Sequence, residues 1–244
     1  MSEPGSLVRA LSGRLVARNF HSYVISEIGI GIASGRLAVG AILPNDAEMM
    51  DRYGVSRTVL REALKTLEAK GLVEARAKVG TRVLSRSRWN LYDRQVLGWI
   101  QEAGPDAAFL RSYVELREVI EMQTARFAAA RRSAEQLRML LYWLSQRSTM
   151  AALAEPFALA EFEFHRILCE ASQNPFLRAA QGLVEFGVVQ AIAPQVKAGA
   201  QDFAAQKSAL YQALADAVAR NAPDAAAEAM AAILASDRIW ILGA

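Results

Sequence analysis

Apolar residues recur at helical spacing between Arg14 and Ser34, where Leu15, Phe20, Val24, Ile28 and Ile32 mark one face of a first helix. Glycines at 35 and 40 and the pair Leu43-Pro44 break that period, so Gly35 to Pro44 reads as a loop. Asn45, with Glu48 three residues later, has the spacing of a helix start at which side chains satisfy orphan backbone amides. This second helix is predicted to end by Tyr53. Gly54 can adopt the left-handed conformation, and Ser56 caps a third helix two residues on. The third helix buries Leu60, Ala63, Leu64 and Leu67 and stops at Gly71. Leu72 to Arg76 and Thr81 to Leu84 then read as two short strands around Ala77 to Gly80, a hairpin of the kind that forms a wing. A short segment ahead of the first helix is expected to be frayed.

From Trp89 onward the pattern is helical, with breaks at Gly104-Pro105, Arg132-Ser133, Glu155-Pro156, Asn174-Pro175, Pro194 to Gly199 and Asn221 to Pro223. It predicts helices near 91–103, 106–131, 134–152, 157–172, 175–193, 201–220 and 224–240. The fold class is therefore mostly α: a winged helix-turn-helix at 10–85, a connector and linking helix at 86–105, and an all-α antiparallel bundle of about seven helices at 106–241.

Composition narrows the class without naming a chemistry. A hydrophobic fraction of 53% against 22% charged residues excludes intrinsic disorder. The single cysteine, Cys169, excludes an intrachain disulfide framework and fits a reducing compartment. No apolar run approaches the roughly 18 residues of a membrane span, so the expectation is a cytoplasmic protein without a membrane partner. Charge is unevenly spread. Residues 1–90 carry 14 Lys and Arg against 8 Asp and Glu, whereas residues 91–244 carry 14 against 17, so the basic front end suggests a polyanionic partner.

The third helix opens with Ser56, Arg57, Thr58 and Arg61. Free amides at a helix N-terminus favour phosphate oxygens, and the planar fork of Arg57 or Arg61 matches guanine O6 and N7 in a major groove. Lys65 one turn on, and Arg76, Lys78 and Arg82 around the hairpin turn, fit phosphate contacts that add affinity without sequence information.

These residues resemble the GntR family of bacterial regulators. The resemblance is carried by Leu43-Pro44, Gly54-Val55-Ser56-Arg57, Arg61-Glu62-Ala63-Leu64, Leu67, Gly71-Leu72-Val73 and the wing glycine Gly80. Asn45-Asp46 stands where that family usually has Ser-Glu, and Ala47 where some members carry a DNA-contacting arginine; Asn and Asp still cap. The second part is similar to the FadR-type, all-helical FCD effector domain. The similarity rests on Glu115-Leu116-Arg117 with Ile120-Glu121, Glu161 to His165, and Asn174-Pro175 with Leu177. It implies a homodimer that binds double-stranded operator DNA and answers to a small metabolite.

Many members of that subfamily hold a divalent metal through an acidic residue, a histidine four residues later and two further histidines on the last helices. Glu161 and His165 match the first pair, but Tyr211 and Ile233 stand where the other two belong, and the chain has only His21 and His165. The expectation is no metal and no cofactor. Arg117, steadied by Glu121 one turn on, is then the candidate for an effector carboxylate, with Glu161, His165 and Tyr211 bonding hydroxyls. The connector Arg88-Trp89-Asn90 with Asp93, Val96-Leu97 and Trp99 is similar to that of repressors of sugar-acid operons of the galactonate type, which implies an aldonate or related sugar acid as ligand. The same residues also suit packing between elements.

Two other functions fit parts of the pattern. An acyl-CoA sensor of the same architecture requires a deep apolar tunnel. An enzyme using Glu161 and His165 as an acid/base pair lacks a nucleophile elbow, a glycine-rich phosphate loop and an identifiable orienting group, so no residue is assigned as catalytic.

Overall fold

Two amides near the start of the chain, those of Leu7 and Val8 in the single helical turn α1 (Ser6–Arg9), both face Glu185 Oε1, at 2.7 and 3.4 Å. The computed structural model describes residues 5–9, 20–199 and 205–243. Of these, 20–105 form one unit, and 106–243 together with 5–9 form the other. The leading segment, expected to fray, is instead held where it is described: Leu7 and Val8 are buried, and a buried carboxylate takes the amides that a helical turn leaves without partners.

In the first unit, α2 (Phe20–Ala33) buries Val24, Ile25, Ile28 and Ile32. The earlier part of the helix expected from Arg14, including Leu15, lies outside the described residues. Helix α3 (Asp46–Tyr53) begins where Asn45 accepts a hydrogen bond from the Glu48 amide at 3.1 Å and closes on Gly54 at φ 63°. Ser56 then accepts from the Val59 amide and starts α4 (Arg57–Ala69), whose buried stripe is Leu60, Ala63 and Leu67. Leu64 of the same helix is only partly buried.

The hairpin pairs β1 (Val73–Arg76) with β2 (Gly80–Val83) antiparallel, Val73 opposite Val83 and Arg76 opposite Gly80. Each strand starts one residue away from its predicted place, because Gly80 at φ 111° still pairs as it leaves the turn. Part of the expected loop is also recruited. The Gly40 amide donates to Val83 O, the Val83 amide to Ala41 O and the Leu43 amide to Thr81 O, so residues 40–43 run along the outer edge of β2.

After a 3₁₀ turn at Arg86–Arg88, Asp93 accepts from the Gln95 and Val96 amides and starts α5 (Arg94–Ala103). This linking helix packs within the first unit: Trp89, Leu97 and Trp99 are all buried, and Trp99 lies flat on Gly29 of α2, where a Cβ would come within 2.4 Å of the indole.

The second unit holds α6 (Ala107–Arg131), α7 (Ala134–Thr149), α8 (Ala154–Ala171), α9 (Pro175–Ala179), α10 (Gln181–Lys197), α11 (Ala205–Ala219) and α12 (Pro223–Leu242). Helix α7 opens on a reciprocal capping box between Ser133 and Gln136. The single helix expected at 175–193 is two. Asn174 caps α9 with Pro175 in its first turn, and α10 starts anew beyond Ala180. It runs through Pro194 instead of ending there, with one ladder bond missing in its last turn and the Gln195 side chain donating to Ala191 O. Helices α6, α7, α8, α11 and α12 share one apolar cluster that includes Ala125, Leu140, Phe164, Leu214, Met230 and Ile233.

Gly71 has φ 77°, and a Cβ on it would fall 2.0 Å from the Arg88 carbonyl oxygen. Gly35 has a similar φ of 79° but faces open space. Gly35→Ala is therefore expected to cost about 1–2 kcal/mol in backbone strain alone. Gly71→Ala should cost a further ~1–3 kcal/mol of overpacking. Urea unfolding of both variants checks the difference; equal midpoints would contradict the crossing of Arg88 over Gly71.

Candidate nucleic-acid interface and effector pocket

Burial on one side of α4 forces its other side outward. With Leu60, Ala63 and Leu67 inside, Ser56, Arg57, Thr58, Arg61 and Lys65 are exposed. Arg57 and Arg61 make no salt bridge among the described residues, so two guanidinium groups stand free beside a capped helix N-terminus. The other basic candidates are more committed. Lys65 lies 2.9 Å from Glu62, and Arg76 lies 2.6 Å from Glu74; both pairs are solvent-exposed and so worth little to stability. Arg82 donates from Nε to Gly40 O and helps fix the edge along β2. Lys78 occupies the hairpin tip at φ 62°, and Gly80 beside it meets Ile42. Glu68 of α4 accepts from the Ala75 amide at 3.1 Å, which ties the hairpin to the helix that carries the arginines. The arrangement presents a cationic ridge and a cationic loop from one unit.

The second unit concentrates its charge inside. Three i,i+4 pairs point inward from three helices: Arg117 and Glu121 on α6, Glu161 and His165 on α8, Lys207 and Tyr211 on α11. Arg147 from α7 and Asp237 from α12 complete the set, and all eight side chains are buried. Their contacts close a ring. Arg147 Nε donates to Glu161 Oε2 at 2.9 Å, and Lys207 Nζ donates to Glu161 Oε1 at 2.9 Å and to Asp237 Oδ1 at 2.5 Å. Arg117 Nη1 lies 2.9 Å from Asp237 Oδ2, and Arg117 Nε donates to Glu121. His165 Nδ1 is 2.6 Å from Glu121 Oε2, its Nε2 is 2.9 Å from the Tyr211 hydroxyl, and the Tyr211 ring lies 3.9 Å under the Arg147 guanidinium.

The ring places all five effector candidates, Arg117, Glu121, Glu161, His165 and Tyr211, around one polar centre. It also contains Arg147, Lys207 and Asp237, which sequence reading does not single out. The available signal is weak: Lys207 repeats the four-residue spacing to Tyr211, and Asp237 interrupts the apolar run from Ala229 to Ile241. Arg117 was expected to meet a ligand carboxylate with Glu121 holding it; Asp237 engages its far side as well. Its Nη2, and Nη2 of Arg147, nonetheless have no hydrogen-bond partner. Gly187 makes room for this packing, since a Cβ there would come 2.2 Å from the Tyr113 hydroxyl and 2.7 Å from Arg117 Nε. Beside Arg117 a void of about 10 Å³, the room of a single water, is lined by Tyr113, Leu116, Ile120, Leu183 and Val184.

These residues do not suit a divalent metal. Both nitrogens of His165 are spent. Nδ1 lies against Glu121 Oε2 and Nε2 against the Tyr211 hydroxyl, so neither is open to an ion. Each oxygen of Glu161 already faces a cation, and Ile233 belongs to the apolar core. Among the described residues no three His, Cys, Asp or Glu side chains are arranged to hold an ion.

Burial alone would raise the Glu121 carboxyl, but Arg117 and then His165 outweigh it and bring it from 4.5 down to about 2. Burial of Glu161 is likewise outweighed by Lys207 and Arg147, which hold it well below the carboxylate range. Lys207, which burial would lower, is raised by Asp237 and Glu161. Between pH 4.5 and about 2 the unfolded chain binds these protons and the folded chain does not. The stability they contribute is thus fully present above 4.5 and lost as pH falls towards 2. Acid titration followed by near-UV circular dichroism should show loss of the helical unit in that window, with a shallower slope for Glu121→Gln; a stability independent of pH there would contradict the ring.

Comparison with known proteins agrees with both halves. Residues 22–83 match the model of bacterial regulatory proteins of the gntR family, and residues 113–236 match the FCD domain. The Escherichia coli HTH-type transcriptional regulator YieP is 33% identical over 91% of this chain and 96% of its own length. The galactonate operon transcriptional repressor of the same organism is 27% identical over 87% of this chain and 93% of its own. Among solved structures, Lar, which controls expression of the Listeria monocytogenes agr system, has the same fold, with a TM-score of 0.62 at 18% identity over 91% of this chain and 96% of that one. Helix-turn-helix, wing and helical unit thus fall together in one lineage: the chain belongs to the GntR family of DNA-binding transcriptional regulators, with an FCD effector domain, and is not an enzyme.

Proposed function

We propose that the protein is a homodimeric repressor that holds the operator of a sugar-acid or other small-carboxylate catabolic operon in the cytoplasm and lets go when the metabolite binds. The observation that carries the DNA reading is the pair of unpaired, exposed guanidiniums of Arg57 and Arg61 at the capped start of α4. They read base edges, while Ser56, Thr58, Lys65, Arg76, Lys78 and the backbone around Gly80 serve the phosphates. One such helix covers only a few base pairs, so two copies on a near-palindromic site supply the length that specificity requires.

The effector reading rests on the polar centre of the helical unit. A sugar acid offers one carboxylate and several hydroxyls, and the ring offers the spare Nη2 donors of Arg117 and Arg147, with Glu121, Glu161, His165 and Tyr211 around them. The likeness to the galactonate operon repressor and to the Salmonella repressors named NanR, 30% identical over 72% of this chain, supports this reading. A long acyl chain would need an apolar tunnel where six charged side chains cross instead.

Arg57→Ala and Arg61→Ala should each weaken binding to the duplex that the wild type selects from a random pool by about 1–3 kcal/mol, without loss of fold. Lys78→Ala should weaken all duplexes alike and reduce the salt slope by about one. Unchanged affinity in both arginine variants at one salt concentration would refute the assignment. A thermal-shift screen of aldonates, other carboxylates and acyl-CoAs should show stabilisation by a sugar acid, and Arg117→Lys, which keeps the charge but loses the fork, should diminish it. Stabilisation by acyl-CoA alone would replace this effector class.

A further inference from the structure

We propose that Lys207 is the resident cation of this effector domain: its ammonium, gripped between Glu161 and Asp237, takes the place that a divalent metal would fill and makes the pocket independent of metal. The inference does not depend on which metabolite binds. Two carboxylates from different helices, α8 and α12, converge on Nζ at 2.9 and 2.5 Å, and Lys207 is buried with them. Convergent carboxylate oxygens are how a protein binds a hard cation, and here the chain supplies that cation itself.

The remaining carboxylate oxygens of the site also face cations or His165. Arg147 takes the second oxygen of Glu161 and Arg117 faces the second oxygen of Asp237. Glu121 is held between Arg117 and His165. Three carboxylates, those of Glu121, Glu161 and Asp237, therefore meet three cations, Arg117, Arg147 and Lys207. A divalent ion added to this set would bring two uncompensated charges into the interior, which is prohibitive unless Lys207 leaves. Lys207 is itself buried, one turn ahead of the fully buried Tyr211 on the same helix.

Removing the ammonium while keeping the side chain's bulk leaves Glu161 Oε1 and Asp237 Oδ1 facing one another with one negative charge in excess. An external cation then gains what the lysine lost. The full-length wild type and Lys207→Met should be compared by elemental analysis and by thermal unfolding in EDTA and in Mn²⁺. The wild type is expected to hold no stoichiometric metal and to unfold at the same temperature in both. Lys207→Met should unfold at a lower temperature in EDTA and regain about 2–4 °C in Mn²⁺, the shift that a ligand at roughly five times its Kd gives a chain of this size. About one tightly held metal per wild-type chain would overturn the proposal. So would a Lys207→Met protein that gains nothing from Mn²⁺, whether it folds or not.

Discussion

The helical unit depends on a closed cycle of buried charge. Arg147, Glu161, Lys207, Asp237, Arg117, Glu121, His165 and Tyr211 each touch the next, and Tyr211 returns to Arg147 through its ring face. Five helices contribute, so the cycle fixes their mutual register in a way that interchangeable aliphatic contacts do not. Stripping water from each ion costs several kcal/mol, and only dense pairing offsets it. Breaking one link leaves a buried group on either side with only one of its two partners. That is the reason the eight side chains behave as one group, and the reason a glycine at 187 matters: it lets the Arg117 guanidinium lie against the α10 backbone.

The N-terminal unit was legible residue by residue because its determinants are local. Asn45 and Ser56 cap within three residues, Gly54 and Gly71 end helices with positive φ, and the stripe of Leu60, Ala63 and Leu67 states which face is buried. Leu64 was placed too deep, since it sits at the edge of that stripe. The edge contact of residues 40–43 was not visible, because a lone stretch of Gly40-Ala-Ile-Leu43 carries no alternating pattern and gains its partner only when the hairpin forms.

The polar ring was half legible, and the division follows sequence distance. Arg117 with Glu121 and Glu161 with His165 are spaced to share a helix face, so each pair announces itself. Arg147 and Asp237 have no such neighbour in the ring. Arg147 lies near the end of a helix with polar residues on either side, where an arginine ordinarily snorkels to water. What buries it is Phe157 and Tyr211 from other helices. Glu185 is a similar case. In sequence it is one acid in a strongly apolar helix, and its purpose is apparent only when the amides of Leu7 and Val8 arrive from 178 and 177 residues away.

The two units use cations in opposite ways, and that contrast bears on how a ligand acts. On α4 the arginines are exposed and uncompensated, so a phosphate or base edge adds attraction without displacing anything. In the ring each of the three cations already has a carboxylate. An anionic effector would add a fourth negative charge to three positive ones, so entry requires that an internal carboxylate swing away or take a proton. Of the three, Asp237 faces both Arg117 and Lys207 and sits on the last helix, whereas Glu121 and Glu161 are each tied to His165's helix or its imidazole. Displacing Asp237 removes one carboxylate from each of two cations, while Glu121 still holds Arg117 and Glu161 still holds Lys207. It would also release α12 from the polar ring, converting a change of charge partner into a movement of backbone.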